Sequence, residues 1–182
     1  MDYKQFYSQL FAPLETEIGP IDPHTLFAIM GFDGGGPLNF DTIGAKQGRP
    51  FVTYVSCELA VRKEQRPSSV GRFELLCSCD DEQWVRSILS ELGRMSLRST
   101  FGHGHTIDIG PKVGPDAPIQ GVWLEAEYCV PIDDQVFAIY RVIGITRPEM
   151  EYKRTHGSEA LEDTLKAGGV YPNTAVNRAS VV

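Results

Sequence analysis

No apolar run in this chain approaches the length that crosses a bilayer, and the opening Met1-Asp2-Tyr3-Lys4 lacks the apolar core of a secretory signal. Neither a membrane span nor an export leader is expected, so the sequence reads as cytoplasmic. Cysteine is sparse, at 4 residues, which without export means reduced thiols and not a disulfide framework. Cations are outnumbered: 17 Lys and Arg stand against 24 Asp and Glu, for a formal charge of −7. Phosphate recognition runs on clustered Lys and Arg, so nucleic acid is not an expected partner. Catalytic signatures are missing as well. There is no Gly-x-Ser-x-Gly elbow and no His-Glu-x-x-His. Asp33-Gly34-Gly35-Gly36-Pro37 lacks the Lys and Ser/Thr of a phosphate loop and leads into proline, so it reads as a turn. Repeats and low-complexity segments are absent.

What remains is an ordinary globular composition, 42% apolar and 23% charged, in 182 residues. That length supports one sizeable core, and we expect a single domain spanning residues 1–182. Tyr3, Phe6, Tyr7, Leu10 and Leu14 recur at helical spacing behind Asp2, with Pro13 expected to end or kink the helix. Thr25–Phe32 is a short apolar element. Phe51–Leu59 reads as a strand with Phe51, Val55, Cys57 and Leu59 on one face and Tyr54 on the other, and Phe73–Cys79 reads as a second. Asp80 with Gln83 is placed to cap a helix carrying Trp84, Val85, Ile88, Leu89 and Leu92. Val122–Val130 and Val136–Ile145 form an expected antiparallel hairpin. The second is apolar almost throughout and so belongs in the middle of the sheet. Thr146-Arg147-Pro148-Glu149 is a capping box, and Ser158 opens a last helix that stops at Gly168-Gly169. The fold class is α+β: a mixed, largely antiparallel sheet flanked by helices.

Three groups bear on chemistry. His103-Gly104-His105 sets two imidazoles on one face if extended, with Asp108, His24, Glu125 or Glu127 as a third metal ligand. The flanking glycines read more simply as a flexible loop, and no metal is assigned. Cys77 and Cys79 continue the alternation of Phe73 and Leu75 and are expected to be buried and reduced. Glu125 and Glu127 share a strand face with Trp123, which either anchors a partner among carboxylates or lies buried under a helix or loop.

Taken in order, a set of landmarks resembles the Suppressor of fused family, in the form of its N-terminal-type domain as it occurs alone in bacteria. They are Gly35-Gly36-Pro37-Leu38, Tyr54-Val55-Ser56 with Leu59, and Gly71-Arg72-Phe73-Glu74-Leu75. Trp84 with its apolar stripe, the segment His103–Pro111, and Phe137–Ile145 running into Thr146-Arg147-Pro148-Glu149-Met150 follow. The ending Asn177-Arg178-Ala179-Ser180-Val181 closes the series. The resemblance covers the chain from about Ile21 onward. It departs at Ala60-Val61-Arg62-Lys63, which has no acidic residue where the animal proteins carry an aspartate.

The resemblance implies a cofactor-free, non-enzymatic module whose partner is a protein: an extended peptide added as a strand, or a cognate polymorphic toxin neutralised by an immunity protein. Tyr54 and Trp123 are then the candidate partner-binding residues. The alternatives are a small metal-dependent hydrolase using His103 and His105, and a structural or assembly scaffold.

Overall fold

Asp2 opens the first helix, α1 (Tyr3–Glu17), by accepting the Lys4 N–H at 2.9 Å and the Gln5 N–H at 3.4 Å. Pro13 lies inside this helix without ending it, and the buried stripe Phe6, Leu10, Phe11 and Leu14 holds the segment against the sheet. The structure, a computed structural model, describes residues 2–32 and 36–182, and side chains outside residues 23–37. The expected turn at Asp33-Gly34-Gly35 and the candidate ligand His24 therefore lie outside what is described.

After α1 the chain forms β1 (Asp22–Phe32), β2 (Gly36–Ile43), β3 (Val52–Cys57) and β4 (Arg72–Cys79), then α2 (Glu82–Met95). β5 (Thr106–Asp108), α3 (Gly110–Val113), β6 (Ile119–Ile132), β7 (Gln135–Thr146), α4 (Arg147–His156) and α5 (Ser158–Ala167) complete it. The strands make one sheet in the order β1-β2-β3-β4-β7-β6-β5. All neighbours are antiparallel except β4 and β7, which run parallel. This is the mixed, largely antiparallel α+β fold read from the sequence.

The β6–β7 hairpin pairs Ile132 with Gln135, so its turn is only Asp133-Asp134, tighter than the five-residue connection expected. Asp133 takes the left-handed conformation there (φ 52°) that such turns require. β7 is central and buried on both faces, as its apolar run implied. Thr146 and Glu149 form the reciprocal capping box. One expected cap is displaced by a residue. Asp81, not Asp80, receives the Trp84 N–H at 2.8 Å, while the Asp80 carboxylate accepts the Val176 N–H at 3.0 Å from the C-terminal segment.

The two faces of the sheet are covered differently. Val85, Ile88, Leu89 and Leu92 of α2 pack on Phe73, Leu75, Cys77, Tyr140, Val142 and Leu124. On the other face α1 packs on Val55, Leu76, Phe137 and Ile139. Beside it α5 places Leu161 and Leu165 on Trp123, Ile143 and Ile145. Leu59 departs from the expected alternation: the chain turns at Glu58 (φ 74°), and Leu59 joins the α2 face while Val55 and Cys57 stay under α1. A strand period ends where its strand does.

Candidate functional site

The residues singled out for partner binding are interior. Tyr54 is 5% exposed and packs with the α2 cluster, where burial pushes its hydroxyl up to about 12. Trp123 is fully buried under α5, and Glu125 and Glu127 beside it are spoken for. Glu125 accepts the Tyr171 hydroxyl at 2.9 Å, and Glu127 pairs with the Arg141 guanidinium inside the protein. The face on which Trp123 stood as an exposed anchor is covered because α5 and the segment after it fold back across β6 and β7.

The two histidines do not converge. Gly104 takes φ +79°, so residues 103–105 turn and the i, i+2 geometry of an extended segment is lost. His103 Nδ1 accepts the Ala126 N–H at 3.2 Å, whereas His105 lies over Gly102 and lines a different hollow with Asp108 and Lys153. Among the described residues no three His, Cys, Asp or Glu side chains are grouped to hold a metal ion. Cys77 and Cys79 are buried with Phe73 and Leu75 on the α2 face, as the alternation implied. The contact with the Cys79 sulfur, followed by burial, holds the Cys77 thiol well above its ordinary range.

Sheet edges are the next place to look, since strand addition needs unpaired N–H and C=O groups. β5 covers β6 only from Gly121 to Trp123. Beyond that, His103 occupies the Ala126 N–H, the register breaks between Ala126 and Tyr128, and Pro131 has no N–H to offer. This edge is blunted against another strand.

A cleft of about 650 Å3 lies between α1 and the β3–β4 connection, lined by Tyr3, Lys4, Tyr7, Asp41, Cys57, Glu58, Val61 and Arg62. Its volume falls in the range of ordinary ligand pockets. The site exists because β3 stops early. Past the Val55–Leu76 pair, β4 keeps β7 on one side but has no strand on the other, where side chains complete its hydrogen bonds instead. The Gln65 amide receives the Phe73 N–H at 3.1 Å and donates to the Phe73 carbonyl at 2.8 Å, while the Ser56 hydroxyl takes the Leu75 N–H at 2.8 Å. At the far end Gly71 (φ +113°) passes so close to β7 that a Cβ there would sit 1.9 Å from the Val136 carbonyl oxygen.

Beneath the cleft lies Glu74, fully buried. Oε1 accepts the Tyr7 hydroxyl from α1 and the Ala60 N–H from the connection, both at 2.8 Å, and Oε2 meets the Ser56 hydroxyl at 2.5 Å. Burial outweighs these donors and raises the carboxyl from its ordinary 4.5 to about 8, so at neutral pH it is largely protonated. Burial, then the neighbouring Glu74, holds the Tyr7 hydroxyl far above its ordinary range, and that oxygen accepts the Glu58 N–H. The Cys57 thiol is likewise raised by burial and donates to Asp41 Oδ2 at 3.1 Å. Glu74, Tyr7 and Cys57 are thus held neutral and tied into place. The arrangement is a rigid floor joining α1, β3, β4 and the connection. Sequence reading passed over Glu74; its only signal was a lone carboxylate inside the apolar run Phe73, Leu75, Leu76.

The β4 strand at the base of the cleft carries the Gly71-to-Leu75 landmark, and comparison with known proteins settles what it belongs to. The family description "Suppressor of fused protein (SUFU)" matches residues 35–179. The chain belongs to the Suppressor of fused family. A Suppressor of fused homologue from Neisseria gonorrhoeae has the same fold, at TM-score 0.68 and 19% identity, over 100% of this chain and 98% of that one. The structure described as the Sufu-Fu complex matches at TM-score 0.71 and 15% identity, over 98% of this chain and 91% of that one. Drosophila Suppressor of Fused matches at TM-score 0.66 and 15% identity, and there the alignment takes in 97% of this chain but 50% of that one. No curated protein matches the sequence. Among the described residues no helix is long and apolar enough to cross a membrane.

Proposed function

We propose that this Suppressor of fused protein is a non-enzymatic protein-binding module that acts as an immunity protein, neutralising a cognate polymorphic toxin. The observation that carries the reading is family membership across residues 35–179, in a family of which one structure is a complex with a second protein, Fu. The cleft supports it. Glu74, Tyr7 and Cys57 are held neutral and hydrogen-bonded, which suits a contact surface and does not make any of the three a base or nucleophile ready for turnover. The hydrolase alternative lacks support, since His103 and His105 are engaged at separate places.

The test is biological. Where a large secreted toxin is encoded next to this chain, co-expression is expected to restore growth of cells making that toxin, and the two proteins are expected to co-elute in a fixed ratio. Growth arrest that persists with the folded protein present, together with separate elution, overturns the reading.

A further inference from the structure

The surface around the cleft has a composition that the rest of the molecule does not. A second hollow of about 220 Å3, lined by Tyr3, Ala60, Val61, Arg72, Gln135 and Phe137, adjoins the first and shares Tyr3 and Val61 with it. Among the described residues Tyr3 is the most exposed large apolar side chain, at 60%, and it stands where the two hollows meet. An aromatic standing between two hollows is the geometry of an anchor site.

The charges point the same way. Elsewhere many cations face carboxylates: Arg86 faces Glu82, Arg141 Glu127, Arg147 Asp108, Arg154 Glu151, Lys166 Glu162 and Arg178 Glu149, while Lys46, Arg49 and Lys153 are tied to backbone carbonyls. At the rim, Lys4 has no carboxylate partner among the described residues, and the Arg72 guanidinium donates only to a carbonyl, that of Arg62, at 2.6 Å. Lys63 and Arg66, on the same connection, are exposed and also lack a carboxylate partner among the described residues. The rim's own anions are engaged, Asp41 by the Cys57 thiol and Glu58 by Arg62 at 4.0 Å. A protein of net charge −7 thus gathers four cations that lack a carboxylate partner among the described residues around the exposed Tyr3.

We propose that the rim formed by Tyr3, Lys4, Val61 and Arg72 docks an acidic segment of the protein partner, carboxylates interleaved with aromatic or aliphatic side chains. This rests on the protein-binding reading above and adds the partner's chemistry. Charge selects the occupant. A second copy presenting the same rim would bring like charges together. A nucleic acid would meet an acidic protein with few clustered cations. The anchor pockets favour side chains over a phosphate backbone, and the rim is pre-formed because Gln65, Ser56 and Glu74 fix the strand and connection beneath it.

The probes are two peptides of about ten residues, the length of an extended docking segment, with identical Leu and Phe positions separated by Asp in one and Lys in the other. Titrated into the isotope-labelled protein, the Asp peptide is expected to shift the amides of Tyr3, Lys4, Val61 and Arg72 saturably, and the Lys peptide is not. Lys4→Glu, on the exposed first turn of α1, is expected to weaken the Asp peptide several-fold, and Lys4→Glu with Arg72→Glu about tenfold. The single variant keeps the test valid if the double one fails to fold. Equal binding of both peptides, shifts centred elsewhere, or Lys4→Glu binding like the parent overturns the proposal, as does tighter binding of single-stranded DNA at this rim. A toxin complex that forms without sensitivity to Lys4→Glu leaves the immunity reading standing and removes this one. Asp-peptide binding at the rim with no toxin complex does the reverse.

Discussion

The two faces of the sheet are built by different means. On the α2 face, burial is apolar: Val85, Ile88, Leu89 and Leu92 meet Phe73, Leu75, Tyr140 and Val142. The opposite face buries Glu74, Arg141 and Glu149 among its apolar clusters, each with partners brought from far along the chain. Apolar burial is non-directional and tolerates small shifts. A buried charge demands its partner at bonding distance. The first face supplies stability with little specification; the second fixes where α1, the β3–β4 connection and the C-terminal segment must lie, and so shapes the cleft.

If that contrast holds, the largest single loss comes from the polar face. Glu149 is fully buried, receives Arg178 at 2.5 and 2.6 Å, and caps α4 through Thr146. Glu149→Ala leaves the guanidinium buried without its carboxylate, and roughly 3–5 kcal/mol of unfolding free energy is expected to be lost. Denaturant unfolding measures it. A loss below about 1 kcal/mol would mean that water replaces the pair and the C-terminal segment is not pinned.

Leu89→Ala probes the apolar face. Removing a fully buried leucine is expected to cost about 3 kcal/mol, in the range of such truncations, with no dependence on pH because no titratable group loses a partner. A pH-dependent loss would contradict the division between the faces.

The same division accounts for what the sequence disclosed. The α2 face follows from periodicity: Trp84 to Leu92 at helical spacing, and Phe73, Leu75, Cys77 and Cys79 at alternate positions. So does the β6–β7 hairpin, because two long apolar runs around Asp133-Asp134 have few other ways to bury themselves. Glu74 was illegible. Its partners Tyr7, Ser56 and Ala60 stand far from it or across a turn, and nothing local says that a strand carboxylate will be enclosed. Trp123 misled for a related reason. Glu125 and Glu127 made its face look solvated, but Tyr171 pairs with the first carboxylate and Arg141 with the second, beneath the returning chain. Pairings between distant polar residues leave no periodic trace, and the cleft depends on them.

Glu74 also gives the polar face a pH signature. Its carboxyl is raised in the folded protein from an ordinary 4.5 to about 8. Below the lower value both folded and unfolded chains carry the proton. Between the two the folded chain keeps a proton that the unfolded chain has released, so stability falls as pH rises, at up to about 1.4 kcal/mol per pH unit. Glu74→Gln is expected to flatten this dependence between about pH 5 and 8. Unchanged slopes in the variant and the parent would show that Glu74 is ionised in the folded state and that its three donors outweigh its burial.

The finest test sets one hydroxyl on each face against the other. Tyr7 and Tyr140 both direct a phenol into the interior, but only one is used. The Tyr7 hydroxyl donates to Glu74 at 2.8 Å and accepts the Glu58 N–H, joining α1 to the connection under the cleft. The Tyr140 hydroxyl, fully buried on the α2 face, has no partner among the described residues. Tyr7→Phe strips a donor from a buried carboxyl and an acceptor from a backbone amide, and should cost about 1–2 kcal/mol. Tyr140→Phe removes an unpaired polar atom from an apolar layer, so stability should stay level or rise by up to about 1 kcal/mol. Because the same atom is deleted in both, differences in side-chain volume and entropy cancel, and what remains is the hydrogen bonding alone. Equal losses in the two variants would mean that the α2 face carries its own polar network through buried water, and the contrast between the faces would then be one of visible partners and not of construction.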